Sequence, residues 1–443
     1  GIRKGKEQDS CVFRWGNCNF SMFSLQWCQC SKKGGMVLER QITWAKNGIG
    51  IIEAEKRQGI APAFLAEEVV EKIAAFHSSV PGYAVTPLAE LSARAKKLGL
   101  GNLFVKDESH RFGLNAFKGL GGVYAVSKVI CEKLGVDLEK ADFSQICSEE
   151  NKEKIKDMVF ITATDGNHGK GVAWAAKKFG CQAYVYMPKG TVESRVQAIR
   201  DVGATEVLVT DYFYDDTVRM ANKRAEENGW TMVQDTAWEG YEKIPTYIVQ
   251  GYTTLAKEAV EQLKEKGVDV PDVVILQAGV GAFAGGVLGY LVNHYGEKLP
   301  KVIIAEPDTV ACIFESAKIN DGKPHASTGS CETVMAGLNC AEPCLVTYPT
   351  LRDFPVAYAA CPDFVTEEGM WLLGKPLAGD DKVVSGESGA VGMGLLYELT
   401  QNPDLAEIKA RLGLNEKSVV LLISTEGNTD PDHYTEVLAK ETL

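Results

Sequence analysis

The chain has 443 residues, 47 Lys and Arg against 59 Asp and Glu, a net charge of −12 and 45% hydrophobic residues. That apolar content excludes a disordered chain, and the acidic balance excludes nucleic acid as the main partner, because phosphate binding needs a basic surface. The sequence has no run of about 18 apolar residues, so no membrane partner or span is expected, and the length allows roughly two or three domains. Glycine is in excess at 44 residues, a sign of backbone that approaches a ligand closely.

Residues 1–35 differ from the rest. They hold Cys11, Cys18, Cys28 and Cys30 among aromatic residues and Asn, with neither helical nor strand periodicity. Six basic side chains stand there against two acidic ones, so the chain from Met36 onward carries −16. The segment is expected to be a leader or artefact outside the fold. No metal site is assigned to it: Cys28-Gln29-Cys30 lacks the usual two-residue gap and no His is near. The other eight cysteines are scattered, which fits a reducing cytoplasm better than a disulfide framework.

A helix is expected from Pro62 to about His77, with Phe64, Leu65, Val69, Val70, Ile73 and Ala74 on one face. Leu88–Leu98 reads as a second amphipathic stretch, followed by a short strand at Leu103–Val105. Helical spacing then runs from Leu120 to Ile130. Between 158 and 235 strands alternate with helices: strands at 159–163, 183–186, 207–209 and 231–233, helices at 172–179, 194–202 and 217–228. Short joints of this kind predict a parallel sheet covered by helices. A second such block places helices at 247–266 and 283–295 and strands at 273–276, 302–305 and 419–423. From about Ile319 to Ser385 the pattern weakens, and loops covering a site are expected.

Four segments can carry chemistry. Lys118, in Asn115-Ala116-Phe117-Lys118-Gly119, stands before a helix in an apolar setting. Such a setting should lower its pKa and supply the neutral amine that Schiff-base chemistry requires. Thr164-Asp165-Gly166-Asn167-His168-Gly169 joins a strand to a helix, where ligands bind in open α/β sheets. Gln277–Gly286 offers successive N–H groups at a helix N-terminus, suited to phosphate. It also imitates a dinucleotide fingerprint, with Glu306 after the next strand, so a nicotinamide-dependent oxidoreductase is a competing reading. Finally, Thr425 places a hydroxyl after the last strand.

In this order the four segments resemble the pyridoxal-phosphate enzymes of fold type II, the tryptophan-synthase-β type, and within them the diaminopropionate ammonia-lyases. The resemblance rests on Lys106–Ser109, Arg111–Lys118, Thr164–Ala176, Asp215–Arg219, Gln234–Gly240, Gln277–Leu291, Met335–Leu338, Ser385–Gly392 and Ser424–Gly427, from about residue 80 onward. It implies an α/β fold of two parallel-sheet domains with pyridoxal 5′-phosphate in the cleft between them. Residues 125–240 would form the small domain, and 40–124 plus 241–443 the large one. It further implies Lys118 as the Schiff-base lysine, Phe117 near the ring, and Asn167 on the phenolic oxygen. Gly279, Val280, Gly281, Ala282 and Phe283 would hold the phosphate, Thr425 would face the pyridine nitrogen, and the glycines of 113–122, 166–171 and 279–289 would press on the cofactor. Related deaminases of serine or threonine carry Ser where this chain has Asp165; that carboxylate, with Asp235, suits a substrate with a cationic β-amine. The implied reaction is α,β-elimination of 2,3-diaminopropionate to pyruvate and two ammonia, on D and L isomers, by a cytoplasmic homodimer. Lys118, Asp165 and Asp235 are its expected catalytic residues, and a serine/threonine ammonia-lyase is the alternative within the fold.

Overall fold

The computed structural model describes residues 39–54 and 58–442. The reading of residues 1–35, including their cysteines, lies outside the described residues. Twelve strands run in chain order: β1 (Thr43–Trp44), β2 (Gly50–Glu53), β3 (Leu88–Glu90), β4 (Asn102–Asp107), β5 (Val159–Ala163), β6 (Gln182–Met187), β7 (Glu206–Val209), β8 (Thr231–Met232), β9 (Val273–Gln277), β10 (Lys301–Pro307), β11 (Ala357–Cys361) and β12 (Val419–Ser424). They form an eight-stranded sheet, β1-β2-β11-β10-β9-β12-β4-β3, and a four-stranded one, β7-β6-β5-β8.

The four-stranded sheet is parallel throughout, as the alternation of 158–235 predicts. In the larger sheet the five inner strands are parallel, while β1, β2 and β3 add antiparallel edges. The central β9, Val-Val-Ile-Leu-Gln, is buried at every residue. That is the pattern of a parallel strand covered by helices on both faces. Strand order reverses beside β9: β10 and β11 lie to one side, β12 and β4 to the other. Ligands bind at such a switch point, outside the C-terminal strand ends.

The helix Gly119–Leu134 lies between Asn167–Phe179 and Lys243–Glu265. Its close approach requires glycine: a Cβ on Gly122 would sit 2.9 Å from the Gly171 carbonyl, and one on Gly171 2.9 Å from the Lys118 carbonyl. For Gly122 and Gly171 this corrects the expectation that the glycines of 113–122 and 166–171 press on a cofactor. Gly122 and Gly171 bring two helices together instead, which fixes where Lys118 stands relative to Asn167.

Three other expectations change. Pro62 precedes a single turn, Ala63–Leu65, and the helix proper is Glu67–Ser79, because Ala66 is extended at ψ 154°. Leu88–Leu98 is not one helix: Leu88–Glu90 pairs with β4, and only Ser92–Lys97 is helical, its first N–H groups bound by Asp380. Within 319–385, helices Tyr348–Asp353 and Asp363–Gly374 flank the buried β11. Its sequence, Ala-Tyr-Ala-Ala-Cys, is too poor in large apolar side chains to read as a core strand. Residues 320–347 are largely irregular, as expected.

Candidate active site

A cavity of about 690 Å³ opens at the C-terminal ends of β4, β5, β8, β9 and β12. β4 leads through the turn Glu108–Gly113 to Lys118, β5 leads to Asp165 and Asn167, and β8 to Asp235. β9 feeds Gly279–Phe283 and β12 feeds Thr425. All the expected site residues therefore line one space: Phe117, Lys118, Asp165, Asn167, Asp235, Gly279, Val280, Gly281, Ala282, Phe283 and Thr425. Two strand-like contacts lock the lysine segment to the last strand's loop. Phe117 N–H donates to the Thr425 carbonyl at 3.1 Å, and Gly427 N–H to the Asn115 carbonyl at 2.9 Å. Phe117 is wedged against Tyr252 and Phe283, with ring centroids 4.7 and 4.8 Å away.

Lys118 Nζ donates to Asp235 Oδ2 at 2.6 Å. Burial acts to lower the lysine's pKa, but the charge of Asp235, aided by Tyr252 and Asp165, outweighs it and the pKa is raised. This corrects the expectation of a lowered pKa, since the apolar flanks are real but a carboxylate sits at contact distance. Burial pushes Asp235 up, yet His168 and Lys118 hold it at about 2. Asp165 goes the other way: burial raises its carboxyl, against the pull of Lys118 and Arg195. The two carboxylates are thus set apart by their surroundings, the arrangement that separates acid from base roles.

Sequence reasoning missed several partners. Gln277, the last residue of β9, donates from Nε2 to the Ile423 carbonyl at 2.8 Å and to Thr425 Oγ at 3.1 Å. The carbonyl acceptor fixes the amide's orientation. Thr425 Oγ therefore accepts from Gln277 and keeps its own proton to give. Asn167 Nδ2 donates to Glu426 Oε2 at 2.6 Å, and Ser388 N–H donates to Glu426 Oε1 at 3.0 Å. His168 gives Nε2 to the Val233 carbonyl at 2.8 Å. Gln277, His168 and Glu426 lay inside the quoted motifs, so their position was legible; their bonds depend on residues far along the chain and were not.

The residues fit a phosphorylated, aldehyde-bearing ring. Among the described residues the N–H groups of Gly279 through Phe283 donate to no protein acceptor. They gather at the start of the helix Ala282–Tyr295, where the helix dipole favours an anion. Gly281 sits at φ +91°, and a Cβ there would meet Leu351 Cδ1 at 2.5 Å, so the loop holds its shape only with glycine. His168 Nδ1 and Gln277 Oε1 are buried without a hydrogen-bond partner. The nicotinamide reading fails on Glu306. Its carboxylate is fully buried and accepts from the N–H groups of Ile313 and Phe314 at 2.8 and 2.6 Å, so it cannot reach a ribose.

Comparison with known proteins points the same way. A family model described as pyridoxal-phosphate dependent enzyme matches residues 80–425. The diaminopropionate ammonia-lyase of Salmonella typhimurium is 50% identical over 381 residues, covering 86% of this chain and 94% of that protein. Two crystal structures of the Escherichia coli diaminopropionate ammonia lyase superpose closely. The complex with D-serine gives a TM-score of 0.83 at 45% identity, over 90% of this chain and 98% of that one. The complex with an aminoacrylate–PLP azomethine reaction intermediate gives 0.81 at 46%, with the same coverage.

Proposed function

The chain belongs to the pyridoxal-phosphate-dependent enzymes, and within them to the diaminopropionate ammonia-lyases, and we infer that it converts 2,3-diaminopropionate and water to pyruvate and two ammonia by α,β-elimination. The observation that carries this is the placement of Lys118 in one cavity with the unsatisfied N–H groups of Gly279–Phe283. Pyridoxal phosphate, when bound, supplies the electron sink that weakens the Cα–H bond of an amino acid.

The protein's own groups do the rest. Gly279, Val280, Gly281, Ala282 and Phe283 would receive the phosphate through backbone N–H groups. Phe117 supports the ring. Thr425, whose oxygen already accepts from Gln277, would offer its proton to the pyridine nitrogen and so favour that nitrogen unprotonated. Asn167, held at one N–H by Glu426, would present its second to the phenolic oxygen. Lys118 would hold the cofactor as its Schiff-base lysine, and its amine would be the group that takes the substrate's Cα proton on one face. Asp165, whose carboxyl is raised by burial, serves as the second acid–base group, for the opposite face or for the leaving β-amine. Asp235 keeps Lys118 in place and sets its charge. The relative's complex with D-serine supports reading the site as open to D as well as L isomers.

The separate sheet of β5–β8 supports reading residues 125–240 as a small domain beside a large one of 40–124 plus 241–443. The family resemblance supports a cytoplasmic homodimer, which sedimentation at twice the chain mass would check. The test of function is direct. The protein with pyridoxal phosphate should absorb in the near-visible and release pyruvate from diaminopropionate, and Lys118→Ala should lose both. Full turnover by Lys118→Ala would reject the assignment.

A further inference from the structure

Three ionisable side chains run in sequence away from the catalytic cavity: Glu426, Glu387 and His433. Glu426 lines the cavity beside Asn167 and Lys118. Its buried carboxylate accepts from Asn167 Nδ2 at 2.6 Å and from the Ser388 N–H at 3.0 Å. Glu387 opens the helix Glu387–Gln401, and both residues flanking it touch Glu426. Ser388 does so through the bond just given. The Gly386 N–H donates to the Glu426 carbonyl at 3.1 Å, and a Cβ on Gly386 would lie 3.0 Å from Glu426 Oε1. The Glu387 side chain, 3% exposed, pairs with His433 Nδ1 at 2.7 Å. His433 stands on the helix Pro431–Ala439 and is 21% exposed.

Two neighbouring buried carboxylates oppose each other's ionisation unless a counter-charge is present. Burial, and after it the charge of Glu387, raises the pKa of Glu426, against the pull of Arg195. His433 supplies the counter-charge to Glu387. Burial lowers the pKa of its imidazole, but Glu387 and Glu367 outweigh that and the pKa is raised. Glu367, from the helix Asp363–Gly374, lies 3.6 Å from Nε2 and has a cation of its own in Lys440. Asp430 accepts from the backbone N–H of His433, at 3.2 Å.

We propose that His433 is a positioning residue for the reaction: by offsetting the charge of Glu387 it keeps Glu426 ionised, and Glu426 holds the Asn167 amide toward the cofactor's phenolic oxygen. The inference rests on the reading of the cavity as the cofactor site. An ionised carboxylate can only accept, so it fixes Asn167 with its NH₂ group toward Glu426. A protonated carboxyl can also donate, and then the amide is free to turn its carbonyl inward. The donor offered to the phenolic oxygen is in this way set by a charge that lies outside the cavity.

The test follows the near-visible absorbance of the holoenzyme as a function of pH. His433→Gln keeps a side-chain donor for Glu387 but no charge, and should shift the midpoint of the absorbance change by about one pH unit, a tenfold change in proton affinity. Asn167→Ala should shift it at least as far, and adding His433→Gln to Asn167→Ala should shift it no further. His433→Lys, which restores the charge, should return the midpoint toward the wild type's. Glu387→Gln, alone or together with His433→Gln, should keep the wild-type midpoint, because the charge that His433 offsets is gone. A merely structural role would lower the melting temperature and leave the midpoint in place. An unchanged midpoint in His433→Gln overturns the proposal, and so does a shift that persists when Glu387→Gln is added. A wild type that shows no near-visible band with pyridoxal phosphate would instead overturn the underlying function.

Discussion

Lys118 and Asp235 face each other 2.6 Å apart in the candidate site, and on the proposed function their charge balance governs how the cofactor is loaded. The lysine must lose a proton to attack an aldehyde, yet its carboxylate partner raises its pKa. Asp235→Asn removes that charge and leaves burial to dominate, so the lysine's pKa should fall. The apoprotein variant should form its cofactor absorbance roughly tenfold faster at pH 7 than the wild type, one pKa unit being a factor of ten in free amine. Equal rates would show that another step limits loading. On the proposed function Asp165 has a different task. Asp165→Ser should depress turnover of diaminopropionate more than that of serine, because only the diamine offers a β-ammonium to the carboxylate. Parallel kcat/KM measurements on the two substrates check this.

At the scale of elements, loops at strand ends deliver chemistry, and buried contacts hold the loops. The turn Glu108–Gly113 that carries the chain from β4 toward Lys118 is anchored by Arg111, which bonds Glu108 and Glu258 with all three side chains buried. Burial alone would raise Glu258, but Arg111, with Lys106, holds it at about 2, below its usual 4.5. A depressed carboxyl stabilises the fold above pH 4.5, and that stability is lost as pH falls from 4.5 toward 2. Its size is about 3 kcal/mol. Glu258→Gln leaves Arg111 and Lys106 underpaired and should cost about 3–5 kcal/mol at pH 7, read as a lower urea midpoint. Its stability should also depend less steeply on pH below 4.5. Gly281→Ala should weaken cofactor binding, since the φ of +91° and the Leu351 contact both oppose a methyl group. Equilibrium dialysis of pyridoxal phosphate measures it. These elements differ in how far the sequence reveals them. The strand–loop–helix units at Thr164–Ala176 and Gln277–Leu291 announce themselves because hydrophobic runs, glycines and polar site residues are consecutive. Strand β11 and the cap of Ser92–Lys97 by Asp380 do not, because one is built of small residues and the other of a partner about 290 positions away. The Lys118–Asp235 pair is hidden for the same reason, so the apolar neighbours alone give the lysine's pKa the wrong sign.

In the whole molecule, the cavity joins residues of both sheets: Asp165, Asn167 and Asp235 follow strands of the smaller sheet, while Gly279–Phe283 and Thr425 follow strands of the larger. A cofactor gripped from both sides would link the two sheets, and any ligand that binds the folded state alone stabilises it by mass action. Holding pyridoxal phosphate at about 100 times its Kd should therefore add about 2.7 kcal/mol, and the cofactor-free protein should melt at a lower temperature. The four-stranded sheet should respond most, because it is the smaller unit and its edge β7 exposes Leu208 and Val209. Hydrogen exchange should show protection gained in β5, β6 and the helix Asn167–Phe179 on loading, beyond the loops that touch the cofactor. Lys118→Ala separates the two contributions. It keeps the phosphate loop and Asn167 but cannot bond covalently, so it should show only part of the thermal shift. A shift equal to the wild type's would mean that the phosphate and ring contacts, rather than the lysine bond, hold the sheets together.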